Sequence, residues 1–142
     1  YILTTSMQGE AKAAGKWIAS MSQADYTRPF AVIAGGETIV RVTGDGLGGR
    51  NQEIALSAAK ELNGQQNVLL FSLGSDGTDG PTDAAGGMVD GETVAMLKKR
   101  GVDVEEALEN NDSYHALQCV DGLIMTGATG TNVNDVTVLL VR

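Results

Sequence analysis

Val68-Leu69-Leu70-Phe71-Ser72-Leu73 is a continuous apolar run that ends at Gly74 and opens into Ser75-Asp76-Gly77-Thr78-Asp79-Gly80-Pro81-Thr82-Asp83-Ala84-Ala85-Gly86-Gly87. A run this short, bounded by turn residues, predicts a strand. Its lack of alternation predicts one covered on both faces, as in parallel α/β sheets. Just upstream, Glu53 to Leu62 offers Ile54, Leu56, Ala58, Ala59 and Leu62 for a buried face and Asn63-Gly64 as a stop, which predicts a helix. Helical spacing also runs from Gln8 to Ser22 through Ala11, Ala14, Trp17, Ile18 and Met21, with Ser6 as its N-cap. Tyr1–Thr5, Phe30–Ala34 and Thr38–Thr43 read as strands, the last two forming a hairpin across Gly35-Gly36. Beyond the long loop, helical patterns cover Glu92–Arg100, Val104–Glu109 and a turn from Asp112, as cap, to Leu117. Leu123–Met125 and Val136–Val141 read as closing strands. Helices and strands interleave, so the predicted architecture is a single α/β domain, a mixed β-sheet flanked by helices.

The 142 residues suit one domain and can bury about two-thirds of the surface their unfolded chain exposes, so stability requires no disulfide or structural metal. One cysteine (Cys119) and one histidine (His115) exclude a zinc site built from those residues, and a lone thiol fits a reducing, cytoplasmic setting. Met88, Met96 and Met125 read as core or gap-filling residues. A net charge of −8 argues against nucleic acid or an anionic membrane as partner. No apolar run approaches the ~18 residues of a membrane span. The chain opens on Tyr1, directly in a strand pattern, and so reads as part of a longer polypeptide.

Three loops exceed what connections require. Gly44-Asp45-Gly46-Leu47-Gly48-Gly49-Arg50-Asn51-Gln52-Glu53 joins a β-rich segment to a helix start. Free amides, the helix dipole and a guanidinium there suit a carboxylate or phosphate, with Gly46, Gly48, Gly49, Arg50 and Asn51 as contacts; a tight turn with a surface arginine is the plainer alternative. Gly44, Gly46 and Gly49 also match a dinucleotide fingerprint, without its buried parallel strand. In the second loop, Ser75, Asp76, Asp79, Thr82 and Asp83 gather at a strand end, where α/β sheets bind ligands; ordinary turn chemistry also uses such residues. In the third, Thr126 to Asn134, Thr129, Thr131 and Asn132 offer hydroxyls and amides to an anion or serve as a connector.

Taken together, Gly35–Glu53 (GGETIVRVTGDGLGGRNQE), Ser75–Gly87 (SDGTDGPTDAAGG) and Thr126–Asp135 (TGATGTNVND), with Asn111–Leu117 (NDSYHAL), resemble the MOFRL domain, the C-terminal part of class II glycerate kinases. The resemblance spans nearly the whole chain. It implies that residues 1–142 are a C-terminal domain preceded by a Rossmann-like N-terminal domain carrying the catalytic lysine and most nucleotide contacts. The implied reaction is transfer of phosphate from ATP, with a divalent metal expected to be Mg2+, to D-glycerate, giving 2-phosphoglycerate. Arg50 would be the cleft arginine and Asp76 the acid beside the substrate hydroxyl. An isolated chain would then fold without catalysing. The family's older label, hydroxypyruvate reductase, keeps an NAD(P)-dependent reductase as the alternative, and a non-catalytic small-acid-binding module is a further one. Ser75 stands where the family tends to threonine, and Ala128 where it tends to proline.

Overall fold

The computed structural model describes all 142 residues as one α/β domain around a single core of 24 buried residues. Its strands are β1 (Ile2–Met7), β2 (Phe30–Gly36), β3 (Val68–Gly74), β4 (Gly86–Asp90), β5 (Leu123–Ile124) and β6 (Asp135–Val141). The helices are α1 (Ala11–Ser20), α2 (Arg50–Leu62), α3 (Thr93–Lys99), α4 (Val104–Glu109) and α5 (Ser113–Gln118). The six strands form one sheet in the order β1-β2-β6-β3-β4-β5, mixed because β1 and β2 pair in parallel and every other pair is antiparallel. No helix is long and apolar enough to cross a membrane.

α2 is the central helix. Ten of its residues are buried, from Asn51 to Ala59 and Leu62, because it packs on β3 and β4 on one side and on α1 on the other. α1 approaches it so closely that a Cβ at Gly15 would collide with the backbone oxygen of Ile54 and with Ser57 Oγ. A glycine that costs helix propensity is therefore what lets the two helices meet.

Several expectations are corrected. β3 is covered on one face only: Val68, Leu70 and Ser72 are buried under the helices, whereas Leu69, Phe71 and Leu73 are half-buried on the other face. Its neighbours are antiparallel, not parallel. Thr38–Thr43 is not a strand and there is no hairpin, because β2 already has β1 on one edge and β6 on the other; only Ile39 makes an isolated bridge, to Glu10. Ser6 lies within β1 and does not cap α1, which starts after Glu10. β4 escaped prediction because it is short and opens on Gly86-Gly87, where small residues are demanded: a Cβ on Gly87 would crowd Leu117 and Ala55. Met88, Met96 and Met125 are exposed rather than core. α2 starts three residues earlier than expected, at Arg50, which places that side chain on the first turn of the helix.

Candidate active site at one end of the sheet

The last rung of the sheet brings the sequence loops together. In register, Gly36 at the end of β2 and Gly74 at the end of β3 both face Asp135, the first residue of β6. The backbone of Met7 closes over Gly36 and that of Thr78 over Gly74, so neither position admits a side chain, and Arg50 reaches Asp135 from the start of α2. Its Nε donates to Asp135 Oδ2 at 2.5 Å and its Nη2 to Asp135 Oδ1 at 3.1 Å, a two-point fork in which the carboxylate is 3% exposed. Nη1 lies 3.4 Å from Oε1 of Glu37, the exposed residue following Gly36. The bond to Asp135 raises the Arg50 pKa above its already high ordinary value, so the guanidinium is permanently charged.

Asp76 follows β3 by two residues and turns back over the same rung. A Cβ at Gly74 would sit 3.2 Å from Asp76 Oδ1 and 3.5 Å from Asp135 Oδ1, so both carboxylates border one point, and the Thr78 carbonyl oxygen, 2.6 Å from it, is what excludes a side chain there. Asp76 Oδ1 accepts from the Thr78 amide (2.9 Å) and the Thr78 hydroxyl (3.1 Å), leaving Oδ2 outside these bonds. The Thr78 amide first, then the Thr78 hydroxyl and the charge of Arg50, hold its pKa below the ordinary aspartate value.

The third loop lies beside the second, extending the pairing of β3 with β6. Thr129 Oγ1 donates to the Ser75 carbonyl at 2.5 Å, the Thr129 amide to the Asp76 carbonyl at 3.2 Å, and the Val133 amide to Ser75 Oγ at 2.7 Å. Thr131 sits against Thr129 through its carbonyl at 3.3 Å, and Asn132 Oδ1 accepts from the Asn134 amide at 3.1 Å. Arg50, Asp76, Ser75, Thr129 and Thr131 thus share one end of the sheet, with Asn132 on the same loop.

Other expected contacts are directed into the protein instead. The anion expected at the start of α2 is supplied by the chain itself. Asp79, 3% exposed, accepts from the amides of Asn51 (3.0 Å) and Gln52 (2.9 Å) and from their side-chain nitrogens (3.1 and 2.9 Å). Its carboxylate satisfies helix donors that no side chain of α2 caps and complements the helix dipole. Asn51 is fully buried, its Oδ1 accepting from Ser72 Oγ at 2.6 Å, and Thr82 accepts from Gln52 Nε2 at 2.9 Å. Asp83 accepts from the Tyr114 hydroxyl at 2.8 Å. Gly46 and Gly48 pack against Asn110, Asp112 and Ser113, and a Cβ on Gly49 would collide with Asp79. These glycines serve close packing of chain on chain, and the fingerprint reading of the turn loses its preceding strand as well. The Asn111–Leu117 stretch holds this turn: Asn111 Oδ1 accepts from the amides of Thr43 (2.6 Å) and Gly44 (2.9 Å), and Asp112 Oδ1 from that of Leu47 (2.9 Å).

Sequence reading missed Asp135, Glu37, Asn111 and Glu53. Only Asp135 carried a signal, as a charged residue opening a strand whose next six residues are uncharged. Glu53 is 2% exposed, with Asn111 Nδ2 donating to Oε2 at 3.3 Å and Lys12 Nζ 3.8 Å from Oε1. Burial raises its pKa and that of Asp79. A carboxyl whose folded pKa exceeds its unfolded value adds stability below the unfolded value, ~4, and loses it as pH rises through the folded one. Glu53→Gln removes one such group while keeping the Asn111 contact. Urea unfolding from pH 4 to 8 is expected to give a wild-type midpoint that declines relative to that variant as pH rises; parallel profiles would refute the assignment.

No group of three or more His, Cys, Asp or Glu side chains converges on one point of this chain.

Comparison with known proteins identifies the family of the chain. Residues 30–135 match the model of the MOFRL family. The chain is 54% identical over 146 residues to a D-glycerate 2-kinase of Thermotoga maritima, covering 99% of this chain and 35% of that protein. It is 49% identical over 148 residues to a glycerate 2-kinase of Pyrococcus horikoshii, covering 99% and 33%. A crystal structure of glycerate kinase from Thermotoga maritima superposes with a TM-score of 0.97 at 53% identity, covering 100% of this chain and 36% of that one. The chain therefore spans about a third of the length of these relatives. With both the sequence model and the fold in agreement, the chain belongs to the MOFRL family.

Proposed function

We propose that this chain is the substrate-side, C-terminal domain of a cytoplasmic, ATP-dependent glycerate 2-kinase, which converts D-glycerate to 2-phosphoglycerate. The observation that carries the reading is the convergence of the Arg50 guanidinium and the Asp76 carboxylate on the rung Gly36–Asp135–Gly74. Phosphoryl transfer asks for little covalent chemistry from the protein. Its transition state spreads negative charge over oxygens, so a fixed cation and oriented donors do most of the work. In this reading Arg50 meets the anionic oxygens of the substrate or of the transferring group, and Asp76 accepts the hydrogen bond of the attacking hydroxyl. A carboxylate with a lowered pKa is a weak base, so Asp76 orients the hydroxyl more than it deprotonates it. Ser75, Thr129, Thr131 and Asn132 line the same end of the sheet as further polar contacts.

ATP and Mg2+ enter this reading through a preceding Rossmann-like domain of the same polypeptide. When bound there, they would supply the phosphoryl group and neutralise its charge. The names of the two relatives above favour the kinase, and the turn Gly44–Gly49 gives an NAD(P)-dependent reductase no parallel strand to rest on.

The test is a pair of assays on the intact protein: phosphate transfer from ATP to D-glycerate, and NAD(P)H oxidation with hydroxypyruvate. Glycerate-dependent ATP turnover with phosphate on C2 is expected, together with silence from residues 1–142 alone. Cofactor oxidation without phosphate transfer, or turnover by the isolated chain, would overturn it.

A further inference from the structure

Arg50 has two carboxylate partners of different kinds. Asp135 is buried at 3% exposure, fixed by its place in the ladder, and takes the Nε and Nη2 edge of the guanidinium. Glu37 is 58% exposed, sits beyond the end of β2, and meets only Nη1 at 3.4 Å. The Glu37 backbone is anchored by its amide donating to the Met7 carbonyl at 2.9 Å, which leaves the side chain to swing from a fixed root. A two-point fork onto a buried carboxylate is costly to break, because Asp135 left alone is a buried, uncompensated charge. A single contact between partly exposed groups is worth little and is readily exchanged.

We infer that Asp135 is a positioning residue holding the guanidinium permanently, whereas Glu37 is an exchangeable counter-ion that keeps the Nη1 edge until an oxyanion replaces it. The inference rests on the proposed role of Arg50 and adds the residues that set its orientation and its affinity for anions. The incoming group is a carboxylate or phosphate oxygen, since both offer the geometry that the guanidinium edge accepts. In a glycerate kinase the two sources are the acid substrate and the nucleotide. No bond is made or broken in the exchange. One carboxylate leaves the guanidinium edge for solvent and another anion takes its place.

The two residues should respond to removal of charge with opposite signs. In the intact protein, Glu37→Gln relieves the competition, so the KM of the anion that takes this edge is expected to fall about two- to fivefold, the range an exposed pair supports, with kcat little changed. Varying D-glycerate at saturating ATP, and then ATP at saturating D-glycerate, shows which source it is. Asp135→Asn removes the fork, and kcat is expected to fall at least ~10-fold as the guanidinium loses its orientation. Asp135→Glu, which restores the charge on a longer arm, should recover part of that loss. Thermal unfolding shows whether each Asp135 variant is folded. If neither is, Glu37→Gln in an Arg50→Lys background still decides the matter, because the KM effect should vanish without the fork-bearing guanidinium.

Calorimetric titration of the intact protein with inorganic phosphate and with D-glycerate reads the same exchange without turnover, so failure of the kinase assay and failure of this inference remain separable. Tighter binding of one of these anions by Glu37→Gln is expected. Unchanged or weaker binding of both, a KM effect that persists without Arg50, or folded Asp135→Asn with wild-type kcat would each overturn the inference.

Discussion

Replacing Arg50 with alanine is expected to lower phosphate transfer to glycerate by the intact protein ~10²–10³-fold, the loss that follows removal of one preorganised charge partner from a transition state. The expectation rests on where the guanidinium sits: forked onto Asp135 by Nε and Nη2, facing Glu37 with Nη1, and close enough to Asp76 to lower its pKa. The same substitution strands Asp135, which is 3% exposed, and breaking a buried pair from one side costs about 3–5 kcal/mol. Arg50→Ala is therefore expected to be both strongly impaired and less stable. Arg50→Lys separates the two effects. An ammonium retains the charge beside Asp135 but cannot donate along two parallel directions, so most of the fold stability should survive while kcat still falls. Steady-state kinetics paired with thermal unfolding provides the check, and wild-type kcat in a folded Arg50→Lys or Arg50→Ala protein would remove Arg50 from the site.

A large effect on stability, without a direct one on the proposed chemistry, is expected of Asp79→Ala. This change leaves two backbone amides and the Asn51 side-chain amide at the start of α2 without an acceptor, and Gln52 Nε2 with Thr82 Oγ1 and the backbone carbonyl of residue 79, at a place with almost no access to water. Loss of a helix cap costs ~1 kcal/mol and each buried donor left unpaired ~1–3 kcal/mol, so a destabilisation of about 3–5 kcal/mol is expected after partial relaxation. Denaturant unfolding of residues 1–142 and of the intact protein should both report it. Asp79→Asn is expected to be nearly as damaging, because its amide nitrogen would face donors where an oxygen now accepts. The raised pKa of Asp79 does not contradict this. That shift compares the charged with the neutral carboxyl, whereas the substitution compares a carboxyl with no acceptor. A loss under ~1 kcal/mol in Asp79→Ala would show that α2 is capped by other means.

How much of the site was legible follows the range of the interactions. Arg50 and Asp76 stood out because each ends a local pattern, a glycine-rich turn before a helix and a buried strand opening into a polar loop. Asp79, Asn51, Thr82 and Asp83 stood out for the same reason, yet the structure turns them toward α2, Ser72 and Tyr114. Local composition shows that a residue is polar and near a strand end, not which way its side chain faces. Asp135 was overlooked because its partner lies 85 residues away, and Glu37 because it follows a supposed hairpin turn that does not exist.

The amino-acid sequence alone determined the α/β class, the helix at α2, the strands at β2, β3 and β6, and the family resemblance, all of which depend on apolar spacing and ordered motifs within short stretches of chain. The tertiary structure alone decided that β3 is flanked by antiparallel neighbours and only half-buried on one face, that the start of α2 is neutralised by Asp79, and that Arg50 is held by Asp135. Periodicity records which faces of an element are apolar. Strand order and ion pairing are settled by competition among distant segments for the same edge, rung or charge, and that competition exists only once the chain has folded.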